Sequence, residues 1–350
     1  MKCIHASAFG APTEVLSLCT DEAKPQIKAG RGEILVRVLA CSLSPADSKM
    51  LSGDYDAIMK PAAWPYVPGM DLCGIVEGVD AGEKNFKKGD CIIATNGTLP
   101  VGGMAEYAVV NTKEAVHKPE RLTPTQAAAF VNTSMTGMCS VRMAKLRKSD
   151  RVLVVGASGG VGTSILQLAK SAGVAFLAGV STQEKLVKSL GADKVINYKT
   201  TNYWELPEFQ QEKFDVIFDC VGAPTVWGTG AQSKAVLKNG WNGGRYIALV
   251  MQEPMVAHNI LQLLGMVLRA LGRYLYTLFN PFVPRYKAPV VMPSLGDLAK
   301  LVQLADEGQL GVVLDPASPF PFTTQGVQTA FELQASGRAH GKIVVQLAEE

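Results

Sequence analysis

Hydrophobic and polar positions follow two different rhythms along the chain. Over the first 120 residues, short apolar runs alternate with turns rich in glycine and proline. They are Ile34–Ala40 after the turn Ala29-Gly30-Arg31-Gly32, then Asp71–Val79, Gly89–Ala94, and Gly103–Val110 after a Gly-Gly turn. Each run has the length and β-branched content of a strand, and the irregular spacing predicts a small, partly open barrel. The rhythm changes near Leu122. Thr123-Pro124-Thr125-Gln126 predicts a helix start, with Thr123 as cap, Pro124 at the first helical position and Gln126 completing a capping box. Beyond it, strand and helix patterns alternate. Strands are predicted at Arg151–Val155, Val174–Val180, Lys194–Tyr198, Phe214–Cys220 and Arg245–Leu249. Helices are predicted at Val161–Ala172 and at Thr182–Leu190, the latter closed by Gly191. Strands that are apolar throughout and alternate with helices predict a parallel sheet covered on both faces. A helix near Val327–Ser336 and a strand at Lys342–Leu347 end the pattern.

Composition narrows the class. The 350 residues allow two domains, and 47% hydrophobic against 19% charged residues excludes a largely disordered chain. Lys and Arg number 34 and Asp and Glu 31, and a net charge of +3 predicts no extended nucleic-acid face. Seven cysteines, odd in number and with no Cys-x-x-Cys pair, argue against a disulfide framework and suit a reducing compartment. Met1-Lys2-Cys3-Ile4-His5-Ala6 lacks the apolar core of a secretory signal. The expectation is a cytoplasmic protein, with organelle stroma or matrix left open, and no membrane span.

The strongest chemical signal is Gly156-Ala157-Ser158-Gly159-Gly160-Val161-Gly162, lying between a buried strand and an amphipathic helix. That context is the one a dinucleotide-binding turn requires. Glycines let the backbone approach a pyrophosphate, and the helix start offers N–H groups and a positive dipole end. A site for NAD usually carries Asp or Glu about 20 residues on, to accept from the ribose 2′-hydroxyl. Here the second strand ends Ala178-Gly179-Val180-Ser181, without a carboxylate. Ser181 could donate to a 2′-phosphate and Lys185 could neutralise it, which points to NADPH. A plainer reading stands beside this one: Ser181 and Glu184 also spell a capping box, and Lys185 could simply be solvated.

Taken together, these residues resemble the medium-chain dehydrogenase/reductase superfamily, specifically its zinc-free quinone oxidoreductase and enoyl (alkenal/one) reductase branch. The resemblance covers nearly the whole chain. It rests on Ser42–Asp47, Val67–Val76, Gly102–Tyr107, the Gly156–Gly162 loop, Ser189–Asp193, Val195–Tyr198, Phe214–Asp219 and Gly337–Val345. It implies a GroES-like catalytic domain split over residues 1–123 and 288–350, a Rossmann domain over 124–287, and an active site in the cleft between them. Zinc-dependent relatives carry Cys-His-x-Asp where this chain has Ser44-Pro45-Ala46-Asp47, and His-Glu where it has Met70-Asp71. They also have a four-cysteine lobe that is missing here. A tetrahedral zinc needs several N or S ligands, so no metal is expected and Met70 is expected to pack.

Without a Lewis acid, alcohol oxidation is poorly served, whereas conjugate reduction needs only one or two hydrogen-bond donors near the acceptor oxygen. The expected function is therefore NADPH-dependent hydride transfer to quinones or to the C=C of α,β-unsaturated carbonyls. Tyr55 matches the position of a functional tyrosine in enoyl-thioester reductases of the superfamily, or else it is a surface-loop aromatic that only rims the cleft. Ser44 stands where quinone oxidoreductases usually have Asn, and could be a short donor or a turn serine before Pro45. Asp47 is expected to anchor its loop. Thr136 matches the family threonine beside the nicotinamide, or is a helix residue satisfied by its own backbone. Tyr198 matches a tyrosine near the adenosine phosphate, or is a strand-end aromatic. Val221 and Gly222 are expected to wall the cofactor ribose. Two other functions stay open: an NADPH-binding scaffold with little turnover, and a helper enoyl reductase acting on carrier-bound substrate.

One stretch is not absorbed by this reading. Leucines at 261, 264, 268, 271, 275 and 278 make a helical stripe in Ile260–Phe279, broken as a membrane span by Arg269 and Arg273. It could pack on the Rossmann domain, roof the substrate cleft, dock on a membrane surface or fill a partner's groove. Tyr286–Met292 reads as an edge strand, where Pro289 is tolerable. Relatives pair a strand near this position across a two-fold axis, which implies a homodimer.

Overall fold

The computed structural model describes residues 1–54, 56–57, 59–95, 102–222, 231–250, 258–288 and 295–349. The chain divides into two compact units, Met1–Met135 with Met292–Glu350, and Thr136–Val291.

The first unit opens with a two-stranded antiparallel ribbon, β1 (Cys3–Ala6) and β2 (Leu16–Cys19), joined through the short helix α1 (Pro12–Val15). β3 (Glu33–Leu43) leads into α2 (Pro45–Ser52), followed by β4 (Asp71–Val79), β5 (Cys91–Thr95), β6 (Tyr107–Asn111) and β7 (Ala115–His117). β3 is the spine of this sheet. It pairs antiparallel with β4 and β6, and two register shifts against β4 bend it as an incipient barrel requires. Ile34, Val36 and Val38 point inward with Ile92, Ala94 and Val110 to form one core. The fourth predicted strand begins later than its pattern suggests, at Tyr107 rather than Gly103. α3 (Pro124–Ala144) follows and contributes to both units. Its capping box forms: Thr123 Oγ1 accepts from Gln126 N and Gln126 Oε1 accepts from Thr123 N.

The second unit runs β8 (Arg151–Val155), α4 (Gly160–Ser171), β9 (Phe176–Val180), α5 (Glu184–Ser189), β10 (Lys194–Ile196), α6 (Pro207–Gln211), β11 (Val216–Asp219), α7 (Ala231–Val236), β12 (Arg245–Ala248), α8 (Ile260–Phe279) and β13 (Arg285–Lys287). Its strands form a parallel sheet in the order β10-β9-β8-β11-β12-β13. Strand order reverses between β8 and β11, which makes their carboxyl ends a topological switch point. Both faces are covered. Leu153, Ile217 and Tyr246 pack on one side, and Val152, Val154, Phe218 and Ile247 on the other with Ile165 and Leu166 of α4. The continuously apolar strands follow from this two-sided burial. Arg245 fastens α3 to the sheet by donating to the carbonyls of Ala144 and Lys145 and to Asp150 Oδ1 at 2.7–2.9 Å.

The chain then returns to the first unit with α9 (Leu295–Asp306), β14 (Phe320–Pro321), α10 (Thr324–Ser336) and β15 (Ile343–Gln346). β15 pairs antiparallel with the second half of β3, which explains why Leu39–Leu43 are buried on both faces.

α8 does not pack as a core helix. Only Met266 and Thr277 are buried, whereas Leu261 is 76% and Phe279 80% exposed, with Leu264, Leu268 and Leu271 also exposed. No helix among the described residues is long and apolar enough to cross a membrane.

Candidate active site

In the second unit, β8 ends at Val155 and the chain turns through Gly156, whose φ of +77° a side chain would resist. Gly156 O accepts from Gly159 N at 3.1 Å, closing a tight turn, and α4 begins at Gly160. Gly162 is required by contact. A Cβ there would lie 2.2 Å from Gly156 O and 3.0 Å from Ala157 Cα, so any side chain would push the turn off the helix. Gly159 caps α4 without a side-chain hydrogen bond, which leaves the first N–H groups of the helix aimed outward with the positive end of the dipole. Ala157 is buried and its N–H donates to Val180 O, tying the turn to the end of β9. Ser158 is buried, and Gly160 and Val161 open the first turn of α4. These residues form a cradle whose close approach and donor set fit the pyrophosphate of a dinucleotide.

The neighbouring strand ends complete the rim. Ser181, buried, follows Val180 and donates its N–H to Ile196 O. Its Oγ accepts from Gln183 N at 3.0 Å, so the Ser181–Glu184 capping box does not form. Glu184 instead pairs with Lys188 at 2.7 Å, one turn along α5, and this contact keeps the carboxyl below its usual range. No carboxylate therefore faces back from the start of α5, and Lys185 is exposed. Tyr198 is exposed just past β10. On the other side of the switch point, Asp219 ends β11 directly beside Val155. Its Oδ1 accepts from the N–H groups of Val221 and Gly222, and its Oδ2 from Tyr246 OH at 2.6 Å. Val221 is thereby held over Gly156; its Cγ2 would lie 2.7 Å from a Cβ at that glycine. Asp219 sets this wall, and sequence reasoning missed its role. Its only sequence signal is an acid ending an otherwise apolar strand. Thr136 is half-buried on α3, and its carbonyl accepts from Ser140 Oγ at 2.7 Å.

The first unit holds a second constellation. Ser44 is the N-cap of α2: Ser44 N and Ser44 Oγ both donate to Asp47 Oδ2 at 2.8 Å. The hydroxyl hydrogen of Ser44 is thus directed at Asp47, and Met70 Sδ lies 3.9 Å from the same oxygen. Asp47 anchors the loop, as its position suggests. Burial, reinforced by the nearby Asp71 and opposed by the Ser44 hydrogen bonds and Lys342, pushes its carboxyl up to about 6. Asp71 is fully buried, accepting from Thr95 Oγ1 at 2.6 Å and lying 3.5 Å from Lys342 Nζ. Lys342 also donates to Leu43 O. This buried lysine precedes an apolar strand, and its sequence context gives no hint that it meets Asp71. Met70 packs with Met50 and Met59. At the positions of the family's zinc ligands the chain thus offers a hydroxyl, a thioether and two carboxylates already engaged by Ser44, Thr95 and Lys342. That set suits zinc poorly. Tyr55 lies outside the described residues.

Comparison with known proteins agrees with this geometry. Residues 30–120 match the alcohol dehydrogenase GroES-like domain, and residues 190–345 the family described as zinc-binding dehydrogenase. The chain is 32% identical to 2-methylene-furan-3-one reductase of Solanum lycopersicum, over 99% of this chain and 79% of that one. It is 31% identical, with the same coverage, to the chloroplastic NADPH-dependent alkenal/one oxidoreductase of Arabidopsis thaliana. In fold it is similar to the quinone oxidoreductase of Escherichia coli complexed with NADPH. The TM-score is 0.77 over 99% of this chain and 100% of that one, at 22% identity. The glycine turn at the switch point, the GroES-like sheet and relatedness along the full length together make the chain a member of the medium-chain dehydrogenase/reductase superfamily, in its zinc-free quinone and alkenal/one reductase branch.

Proposed function

We propose that this protein is an NADPH-dependent, zinc-independent reductase acting on quinones or on the C=C of α,β-unsaturated carbonyls. The observation that carries the reading is the open glycine cradle at the head of α4, rimmed at the end of β9 by Ser181 rather than by a carboxylate. NADPH, when bound, supplies the hydride. Gly156–Gly162 would hold its pyrophosphate, Ser181 and Lys185 would take the 2′-phosphate, Tyr198 would cover the adenosine side, and Val221 and Gly222 would wall the ribose. Thr136 would serve the nicotinamide side. Reduction of a conjugated acceptor places negative charge on a distant oxygen, and a hydrogen-bond donor there suffices. The Ser44 hydroxyl is engaged with Asp47, so Tyr55 is the first donor to test, with Ser44 second. The substrate class is supported by what the relatives are named for.

The test is NADPH oxidation by the purified chain with a panel of quinones, enals and enones. Turnover is expected, with kcat/KM at least tenfold higher for NADPH than NADH, and reduced in Tyr55→Phe. Cofactor binding without turnover on any acceptor, and indifference to Tyr55→Phe, would replace this reading with a binding scaffold. Turnover only on carrier-tethered enoyl groups would replace it with a helper reductase.

Two finer points belong to the same reading. β13 lies at the end of its sheet, which supports a homodimer formed along that edge; Pro289–Met292 of the predicted edge strand lie outside the described residues. The exposed apolar face of α8, accompanied by Arg269 and Arg273, supports peripheral contact with an anionic membrane surface.

A further inference from the structure

We propose that Cys3, His5, Cys19 and Glu22 form a binding site for a divalent cation of the zinc class, a clip on the N-terminal ribbon. The four side chains each offer one donor atom, and these atoms all lie within 4.8 Å of one another. The register of β1 and β2 brings this about. Cys3 is paired with Cys19 and His5 with Ser17, so Cys3, His5 and Cys19 share one face of the ribbon. Glu22 follows three residues beyond β2 and sets Oε2 at 2.8 Å from His5 Nε2. None of the four belongs to the Ser44–Asp71 cluster.

The donor set is two sulfurs, one imidazole nitrogen and one carboxylate oxygen. Thiolate and imidazole select zinc, cobalt or cadmium over magnesium and calcium. Zinc bonds of about 2.0–2.3 Å in a tetrahedron place ligand atoms roughly 3.3–3.8 Å apart, so side-chain rotation alone closes the site. Binding displaces the thiol protons of Cys3 and Cys19 to solvent and inserts the metal between His5 and Glu22. The scaffold is held in place. Ile4 N donates to Met104 O, Ala6 N to Tyr66 O, Leu18 N to Thr324 Oγ1 and Glu22 N to Met1 O, all at 2.8–3.1 Å. Cys3 is fully buried while the other three are half-buried, so the site is backed by protein and has an entry path. Cys19 Sγ lies 3.3 Å from Asp21 Oδ1, a contact the metal would have to break or keep as an outer partner.

The experiment uses the full chain, reduced and stripped with chelator, titrated with Co2+ and then Zn2+. Expected are a thiolate-to-cobalt charge-transfer band with tetrahedral ligand-field absorption, saturating at one equivalent and displaced by Zn2+. Zinc should also slow alkylation of Cys19, the half-buried thiol of the pair, at least tenfold, with no change at Cys91 or Cys139, a measurement that needs no variant. In Cys3→Ser and Cys19→Ser the charge-transfer intensity should fall by half or more, and His5→Gln should weaken Co2+ binding at least tenfold. Absence of the band in protein shown by thiol titration to be fully reduced, or equal alkylation with and without zinc, would overturn the proposal. So would capture of Cys3 and Cys19 as a disulfide that forms equally fast with zinc present. Turnover with NADPH bears on none of these outcomes.

Discussion

Two single residues carry consequences that can be measured. Ser181 follows β9 beside the glycine turn, and its Oγ accepts from Gln183 N, so a neutral hydroxyl stands where a carboxylate would exclude a 2′-phosphate. Ser181→Asp should weaken NADPH binding by at least tenfold and leave NADH nearly unaffected, since a charge-assisted hydrogen bond is worth about 1.5–3 kcal/mol. Calorimetric titration with both nucleotides checks this, and equal losses for the two would remove Ser181 from the phosphate site. Asp47 links stability to pH. Its carboxyl is held up to about 6 against an ordinary 3.8, chiefly by burial. The folded state therefore binds more protons than the unfolded chain between those values. Stability associated with the neutral acid is complete below about pH 4 and is lost as pH rises through about 6, on the order of 3 kcal/mol in all. Asp71, Lys342 and Ser44, which face Asp47, are unchanged in an Asp47→Asn variant. That variant should gain on the parent by roughly 1 kcal/mol between about pH 5 and about pH 7.5 in urea denaturation. Parallel stability–pH curves would show that Asp47 ionises freely.

At the scale of elements, the strands and helices predicted from hydrophobic period are present, and their ends are displaced for local reasons. β10 stops at Ile196 because Asn197 turns the chain, its carbonyl accepting from Thr200 and Thr201. α5 starts at Glu184 because Ser181 closes a turn onto Gln183 instead of capping the helix. α8 shows what periodicity leaves undecided. The leucine stripe is plain in the sequence, yet a stripe fits burial in a core as well as exposure to a bilayer. Leu264, Leu268 and Leu271 lie on the exposed face and Met266 on the buried one. Changing the three leucines together to Gln should leave the melting temperature within a few degrees, because each substitution is at the surface. Met266→Ala should cost about 2–5 kcal/mol. The triple variant should also lose sedimentation with vesicles rich in anionic lipid. A collapse in stability would mean that these leucines pack after all, and unchanged sedimentation would dismiss the membrane contact.

At the scale of the molecule, the sheet order places the ends of β8 and β11 side by side, and this adjacency sets the glycine turn at the switch point of the sheet. The sequence alone determined the parallel sheet, the partly open β domain, the glycine turn after β8 and the missing carboxylate after β9. Each depends on contacts within a few residues or on a single period, which spacing records. Tertiary structure decided the rest. Asp219 holds Val221 over Gly156 from a strand some sixty residues away, and Lys342 meets Asp71 across 271 positions of chain. Cys3, His5, Cys19 and Glu22 converge only because two strands pair in one register. A side chain's neighbours across a sheet are fixed by which strands hydrogen-bond and in what alignment, and a one-residue slip would turn the same residues to opposite faces.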